Sequence, residues 1–217
     1  MDFIKQALDF FLHLDKYLGG IIQSYGALTY GILFLIIFCE TGLVVTPILP
    51  GDSLLFAAGT FASGGSLNIV LLYLLVLIAA LAGDNLNYWI GRYLGAKVFQ
   101  QKKPGLFNKQ YLDRTHVFYE KHGSKAVIFG QFIPIIRTFV PFVAGIGKMN
   151  YSNFFALNLT AVLLWTTLFT WGGYFFGNLP GVHEHFHYIV LAIVVISVLP
   201  IVYELLKPKT ETKKKKR

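Results

Sequence analysis

Glu40, Asp52 and Arg137 are ionisable residues set in runs that are otherwise free of charge. The two acids bracket "CETGLVVTPILPGD", residues 39 to 52, and the arginine lies in "IPIIRTFVPFVAG", residues 133 to 145. A charge at bilayer depth costs roughly 3 kcal/mol or more, so such a set must be paired or wetted. Arginine keeps its proton, whereas a carboxylate can take one up and release it. Two readings follow. In one, a guanidinium grips an anionic headgroup while a carboxylate exchanges protons. In the other, a buried ion pair locks two segments together. A lock needs neither two carboxylates nor two broken helices, which favours the first.

The helix breaks are written in prolines. Pro47 and Pro50 in the first segment, and Pro134 and Pro141 in the second, lack a backbone N–H and end or kink helices. Non-helical backbone at membrane depth is tolerated only where protein covers it or where it lines a wet cavity. Short arms left by such breaks present free N–H groups and positive dipole ends to an anion. Asp84, in "GDNLNYWIGR", sits elsewhere, with Asn87 and Tyr88 on its helical face and Arg92 two turns on. It suits a proton relay or an interhelical hydrogen-bond centre.

These residues must be positioned by membrane helices. Of 217 residues 55% are hydrophobic and 14% charged, with a mean hydropathy of +0.58, too apolar for one soluble core. Continuous runs long enough to cross occur near 21 to 39, 67 to 92, 151 to 176 and 186 to 206. Runs 41 to 62 and 126 to 147 have the length but are interrupted. From Tyr17 to Gly91 there is no Lys or Arg; seven fall between Ala96 and Lys125 and seven in the tail "KPKTETKKKKR". Placing both basic segments in the cytoplasm makes the interrupted runs re-entrant hairpins entering from opposite faces.

The expected architecture is therefore an all-α integral membrane protein. It has four transmembrane helices and two re-entrant helical hairpins in an inverted repeat, with amphipathic interfacial helices at the N-terminus and mid-chain. Its parts are an interfacial helix at 1 to 18, a first repeat at 19 to 95, a basic linker at 96 to 125, a second repeat at 126 to 178, a last span at 179 to 206 and a tail at 207 to 217. Short internal matches agree with a repeat. Trp89, Gly91 and Gly95 answer Trp171, Gly173 and Gly177, and Ala58-Gly59 answers Ala144-Gly145.

Other features carry less chemistry. The basic clusters flank apolar spans and call for anionic lipid rather than nucleic acid. Cys39 is the single cysteine, so no intramolecular disulfide forms. His183, His185 and His187 read as a solvated turn with no metal site, and no cofactor is expected. Trp89, Trp165 and Trp171 read as interface or packing residues, and Gly83, Gly91, Gly172 and Gly173 as sites of close helix packing.

"FCETGLVVTPILPGDSLLFAAG", "GDNLNYWIGRYLG", "YLDRTHVFYEKHG" and "FIPIIRTFVPFVAGIGKMNYSNFF" resemble the DedA family of bacterial inner-membrane proteins, also called the VTT or SNARE-associated family. The resemblance implies a lipid flippase or scramblase of the inner membrane with both termini cytoplasmic. Undecaprenyl phosphate or phosphatidylethanolamine would be the lipid and protons the coupling ion. It also implies that the functional acids are Glu40 and Asp52 and that the arginine of the "RT" motif is Arg137, beside Thr138. Where relatives usually carry a second arginine before "FIP", this chain has Gln131, which can hydrogen-bond a phosphate without charge; Lys148 is the candidate for a substituting basic group. Substrate binding is thus expected at Arg137, Gln131 and Thr138, and proton coupling at Glu40, Asp52 and Asp84.

Two alternatives remain beside it. A proton-coupled small-ion or drug transporter fits the acids but not Arg137, and a lipid-pyrophosphate phosphatase would need Ser53 as nucleophile with no histidine near it. The lipid's identity and the direction of movement stay open, and a homo-oligomer is allowed. The topology is directly testable. With Cys39 replaced by serine, Lys109→Cys and Lys213→Cys should react with an impermeant maleimide in inside-out vesicles and not in intact spheroplasts. The reverse pattern rejects it.

Overall fold

Polar residues and glycines recur at one-turn intervals along the longest helices and decide how they pack. In the helix Ile69–Leu94 the buried face includes Val76, Ala80, Asp84, Asn87 and Gly91, while Val70, Leu74 and Ile78 are exposed. Polar groups point inward and aliphatic ones outward, the reverse of a soluble helix, because the solvent here is lipid. The computed structural model describes residues 14–43, 51–94 and 123–177, with isolated positions 179, 188 and 192.

In chain order the helices are α1 (Leu14–Tyr25), α2 (Leu28–Gly42), α3 (Gly51–Ser63), α4 (Ile69–Leu94), α5 (Ala126–Gly130), α6 (Pro134–Ile146), α7 (Tyr151–Thr166) and α8 (Gly172–Gly177). A 3-10 turn, Gly123–Lys125, precedes α5, and a π-helical turn, Thr167–Trp171, joins α7 to α8. No strand occurs among the described residues. The fold is all-α and membrane-embedded. Among the described residues two helices, α4 and the rod from Tyr151 to Gly177, are long and apolar enough to cross a bilayer. They match the runs expected at 67 to 92 and 151 to 176.

The run expected at 21 to 39 is divided. Gly26 takes a left-handed conformation, φ +50, which glycine adopts without a Cβ penalty, and α1 gives way there to α2. Helix α2 then runs past residue 39, so Glu40 rides on its last turn. Helices α3 and α6 have 13 residues each, about 20 Å, too short to cross. Gly130 of α5 lies against Val140 and Ile136 of α6, so the run 126 to 147 folds back on itself. The turn after α6 closes on Lys148, φ 52. Asn150 then caps α7, its side chain accepting from the N–H groups of Ser152 and Asn153. The first 13 residues, the linker up to 122, most of the last span and the tail lie outside the described residues, as do Gly95 and the three histidines.

Glycines set the two tightest crossings. A Cβ on Gly91 of α4 would collide with the Phe142 carbonyl of α6, and one on Gly145 with the Tyr88 carbonyl. Likewise a Cβ on Gly173 of α8 would collide with the Phe56 carbonyl of α3, and one on Gly59 with the Thr170 carbonyl. Each short helix is thus pressed on the far end of one long rod, backbone against backbone. Flanking aromatics follow suit: Trp89 stacks on Tyr93 at 5.7 Å and Trp171 on Phe175 at 5.6 Å, both with rings 28° apart. Gly83 also packs closely, on Gly42 and Thr41, but Gly172 has nothing within 4 Å and does not serve close packing. Its Cα simply faces away from the crossing that its neighbour makes.

Gly91→Ala and Gly173→Ala should each lower stability by about 1–3 kcal/mol through overpacking. Gly172→Ala should be neutral or gain up to about 1 kcal/mol from helix propensity. Thermal unfolding in detergent orders the three; equal shifts would mean that the crossings are looser than described.

Candidate functional site

Glu40 enters from the end of α2, Asp52 from the first turn of α3 and Arg137 from the first turn of α6. All three are buried, at 2%, 8% and 2% exposure, so none is solvated by the surface. Arg137 Nη2 donates to Glu40 Oε1 in a short contact, and Nη1 donates to Asp52 Oδ1 at 3.0 Å. One guanidinium therefore bridges carboxylates from two different helices. Charge-assisted bonds of this kind are the strongest a side chain makes, and at this depth water does not weaken them.

The backbone shapes the site as much as the charges do. The Gly51 N–H, first in α3, donates to Glu40 Oε1 at 3.3 Å, so the carboxylate rests on a helix N-terminus. A Cβ on Gly51 would collide with that carboxylate; glycine is required there. On α6, the Arg137 N–H bonds the Ile133 carbonyl at 2.8 Å across the break. Pro141 withholds the N–H that would otherwise bond the Arg137 carbonyl.

Trp165, on the last turn of α7 and fully buried, donates its indole N–H to the same Asp52 Oδ1 at 2.8 Å. The Arg137 guanidinium lies 4.6 Å from its ring centre, a cation–π contact. Expected to be a packing or interface residue, it is packed in the core and also touches both ends of an ion pair. Sequence offered no cue, since a tryptophan in an apolar helix reads the same in either role. Asn87 was visible only as a neighbour of Asp84. Its amide donates to the Thr138 carbonyl at 2.6 Å and the Thr41 carbonyl at 3.1 Å, tying α4 to the residues beside Arg137 and Glu40. Asn87 is thus an interhelical hydrogen-bond centre beside Asp84.

Asp84 itself is fully buried, and neither carboxyl oxygen has a hydrogen-bond partner among the described residues. The Asn158 side chain of α7 and the charges of Arg137 and Glu40 act on it. Three buried acids thus face one buried base among the described residues. Arg92 does not serve Asp84: it donates to the Tyr88 hydroxyl at 2.7 Å and to the Met149 carbonyl at 3.1 Å. Gln131, 3% exposed, stands in the break before α6, at the Arg137 end, with its Nε2 unpaired among the described residues. Lys148 is exposed beyond the far end of α6, about 16 Å along the helix from Arg137, and cannot substitute for an arginine there. Arg137 Nε and Glu40 Oε2 also lack partners among the described residues. No group of three His, Cys, Asp or Glu able to hold a metal occurs among them.

The VTT domain family matches residues 49–175, which include Asp52, Asp84, Arg137 and Trp165. The chain belongs to the DedA/VTT family. It is 51% identical to Protein DedA of Escherichia coli strain K12 over 211 residues, covering 96% of each chain. An uncharacterized membrane protein of Mycobacterium tuberculosis is 40% identical over 84% of this chain and 79% of its own. Inner membrane protein YqjA of Escherichia coli strain K12 is 32% identical over 81% and 80%. No solved structure shows a significant match. DedA/VTT proteins are transporters of the bacterial inner membrane, and Ser53 is buried in α3.

Arg137→Gln alone should lower stability by about 3–5 kcal/mol, because it strands two buried carboxylates. Adding Glu40→Gln and Asp52→Asn should restore most of that loss. Denaturant or thermal unfolding decides it: a triple variant no more stable than the single one would mean that the ion pair is not what holds the site.

Proposed function

We propose that this chain is a proton-linked lipid transporter that moves a phosphate-bearing lipid, undecaprenyl phosphate or a phospholipid such as phosphatidylethanolamine, across the inner membrane. The observation that carries it is Arg137, buried, shared by Glu40 and Asp52, with its Nε unpaired among the described residues. A headgroup phosphate matches the guanidinium fork and competes with the carboxylates for it. The carboxylate it displaces loses its cation at membrane depth and takes up a proton. When the headgroup leaves on the other side, the carboxylate pairs again with Arg137 and gives the proton up.

The reciprocal glycine crossings support an inverted repeat, and the charge distribution supports four spans and two re-entrant hairpins with both termini cytoplasmic. In that frame α6 moves with α4 and α3 with α8, and rocking of the two groups would expose the site to each face in turn. Gln131, Thr138 and Arg137 bind substrate, while Glu40, Asp52 and Asp84 carry protons. A guanidinium at the centre disfavours a cation as cargo.

Dithionite quenching of fluorescent lipids in proteoliposomes tests it. Wild type should move lipid, faster with a pH gradient. Glu40→Gln should lose the gradient response, and Arg137→Lys, which keeps the charge but not the fork, should slow movement at least about tenfold. Movement unaffected by both substitutions would reject the mechanism, and movement insensitive to the gradient would indicate a passive scramblase.

A further inference from the structure

We propose that Trp165 is a positioning residue that holds Asp52 and Arg137 in place while the ion pair between them is opened by an anionic headgroup. The proposal rests on the transport reading above. Among the described residues Trp165 touches both members of the pair: its indole N–H donates to Asp52 Oδ1 at 2.8 Å, and its ring lies 4.6 Å from the Arg137 guanidinium carbon. The two contacts are of different kinds and use different parts of the side chain. A phosphate that takes Arg137 removes one donor from Asp52 but leaves the indole N–H bonded to it. The same phosphate leaves the ring under the guanidinium untouched.

The surrounding packing joins the tryptophan to the helices of both partners. Trp165 ends α7, and the π-helical turn that follows presses Thr170 onto Gly59 of α3, the helix that bears Asp52. Arg137 belongs to α6, which is pressed onto α4 through Gly145 and Gly91. Helix α7 also packs on α4, where Phe154 stacks on Tyr88 at 4.4 Å and the Tyr151 hydroxyl donates to Asn85, so the tryptophan sits between the two frames. The indole N–H keeps Asp52 bonded, and the ring face keeps Arg137 seated, while the ion pair between them is open. The π turn that begins at Thr167, two residues after Trp165, fits this role, since such turns are rare and frequent at functional sites.

Two substitutions separate the contacts. Trp165→Phe keeps a ring beneath Arg137 and removes the N–H; Trp165→Leu removes both. In phosphatidylcholine proteoliposomes carrying fluorescent phosphatidylglycerol at varied mole fraction, Trp165→Phe should keep the half-saturating fraction and lose maximal rate about tenfold. Trp165→Leu should lose rate and raise the half-saturating fraction several-fold. A phenylalanine variant equal to wild type, or two variants losing rate alike with half-saturation unchanged, overturns the proposal.

A second measurement does not depend on transport. In the full chain labelled with 15N-tryptophan, the indole signal lost in Trp165→Phe identifies Trp165 among the three tryptophans. Asp52→Asn should shift that signal and leave those of Trp89 and Trp171 in place. An unmoved signal overturns the positioning role whatever the vesicles show. If wild type moves no lipid while the signal shifts, it is the transport reading that falls.

Discussion

An arginine at membrane depth cannot be neutralised, and that single constraint organises the centre of this molecule. Arg137 brings a permanent charge into the protein interior, and the chain answers with Glu40 from α2 and Asp52 from α3. Each carboxylate would be prohibitive by itself; together with the guanidinium they form a unit that satisfies much of its own hydrogen bonding. The backbone completes it with the Gly51 N–H and the positive end of α3. Since two acids share one base, and Asp84 adds a third acid within reach of the same field, the site holds more negative than positive groups. Proton uptake is the simplest way to balance such a set.

Holding these groups together is a packing problem, solved with glycine. No hydrophobic force draws helices together in lipid, so association relies on close backbone contact and interhelical hydrogen bonds. Gly91 with Gly145, and Gly59 with Gly173, bring carbonyls into direct contact across α4–α6 and α3–α8. Asn87 adds a polar tie from α4 to the backbone on either side of the ion pair. The long rods thus act as frames, and the short helices that end at the site are anchored at their far ends. In the proposed mechanism, rigid anchoring away from the charges is combined with an ion pair that a headgroup opens.

Sequence alone determined the solvent of this protein and the groups that must meet. Apolar runs fixed lipid as the medium, and Glu40, Asp52 and Arg137 stood out because each is an ion where none is tolerated singly. The helix break before α6 was legible because proline chemistry is local, whereas Pro47 and Pro50 lie outside the described residues. The family, too, was legible, because its motifs are runs of consecutive residues. Tertiary structure decided what depends on neighbours distant in the chain. Trp165 lies 113 positions from Asp52, and nothing in its own run distinguishes an indole that bonds a carboxylate from one that fills space. Gly91 and Gly172 look alike in sequence, but only one faces a carbonyl. Lys148 is near Arg137 in the chain yet a whole helix away from it, because 1.5 Å per residue accumulates along α6. Charge and periodicity are properties of a residue and its run, whereas a contact belongs to two runs at once, and only the fold brings them together.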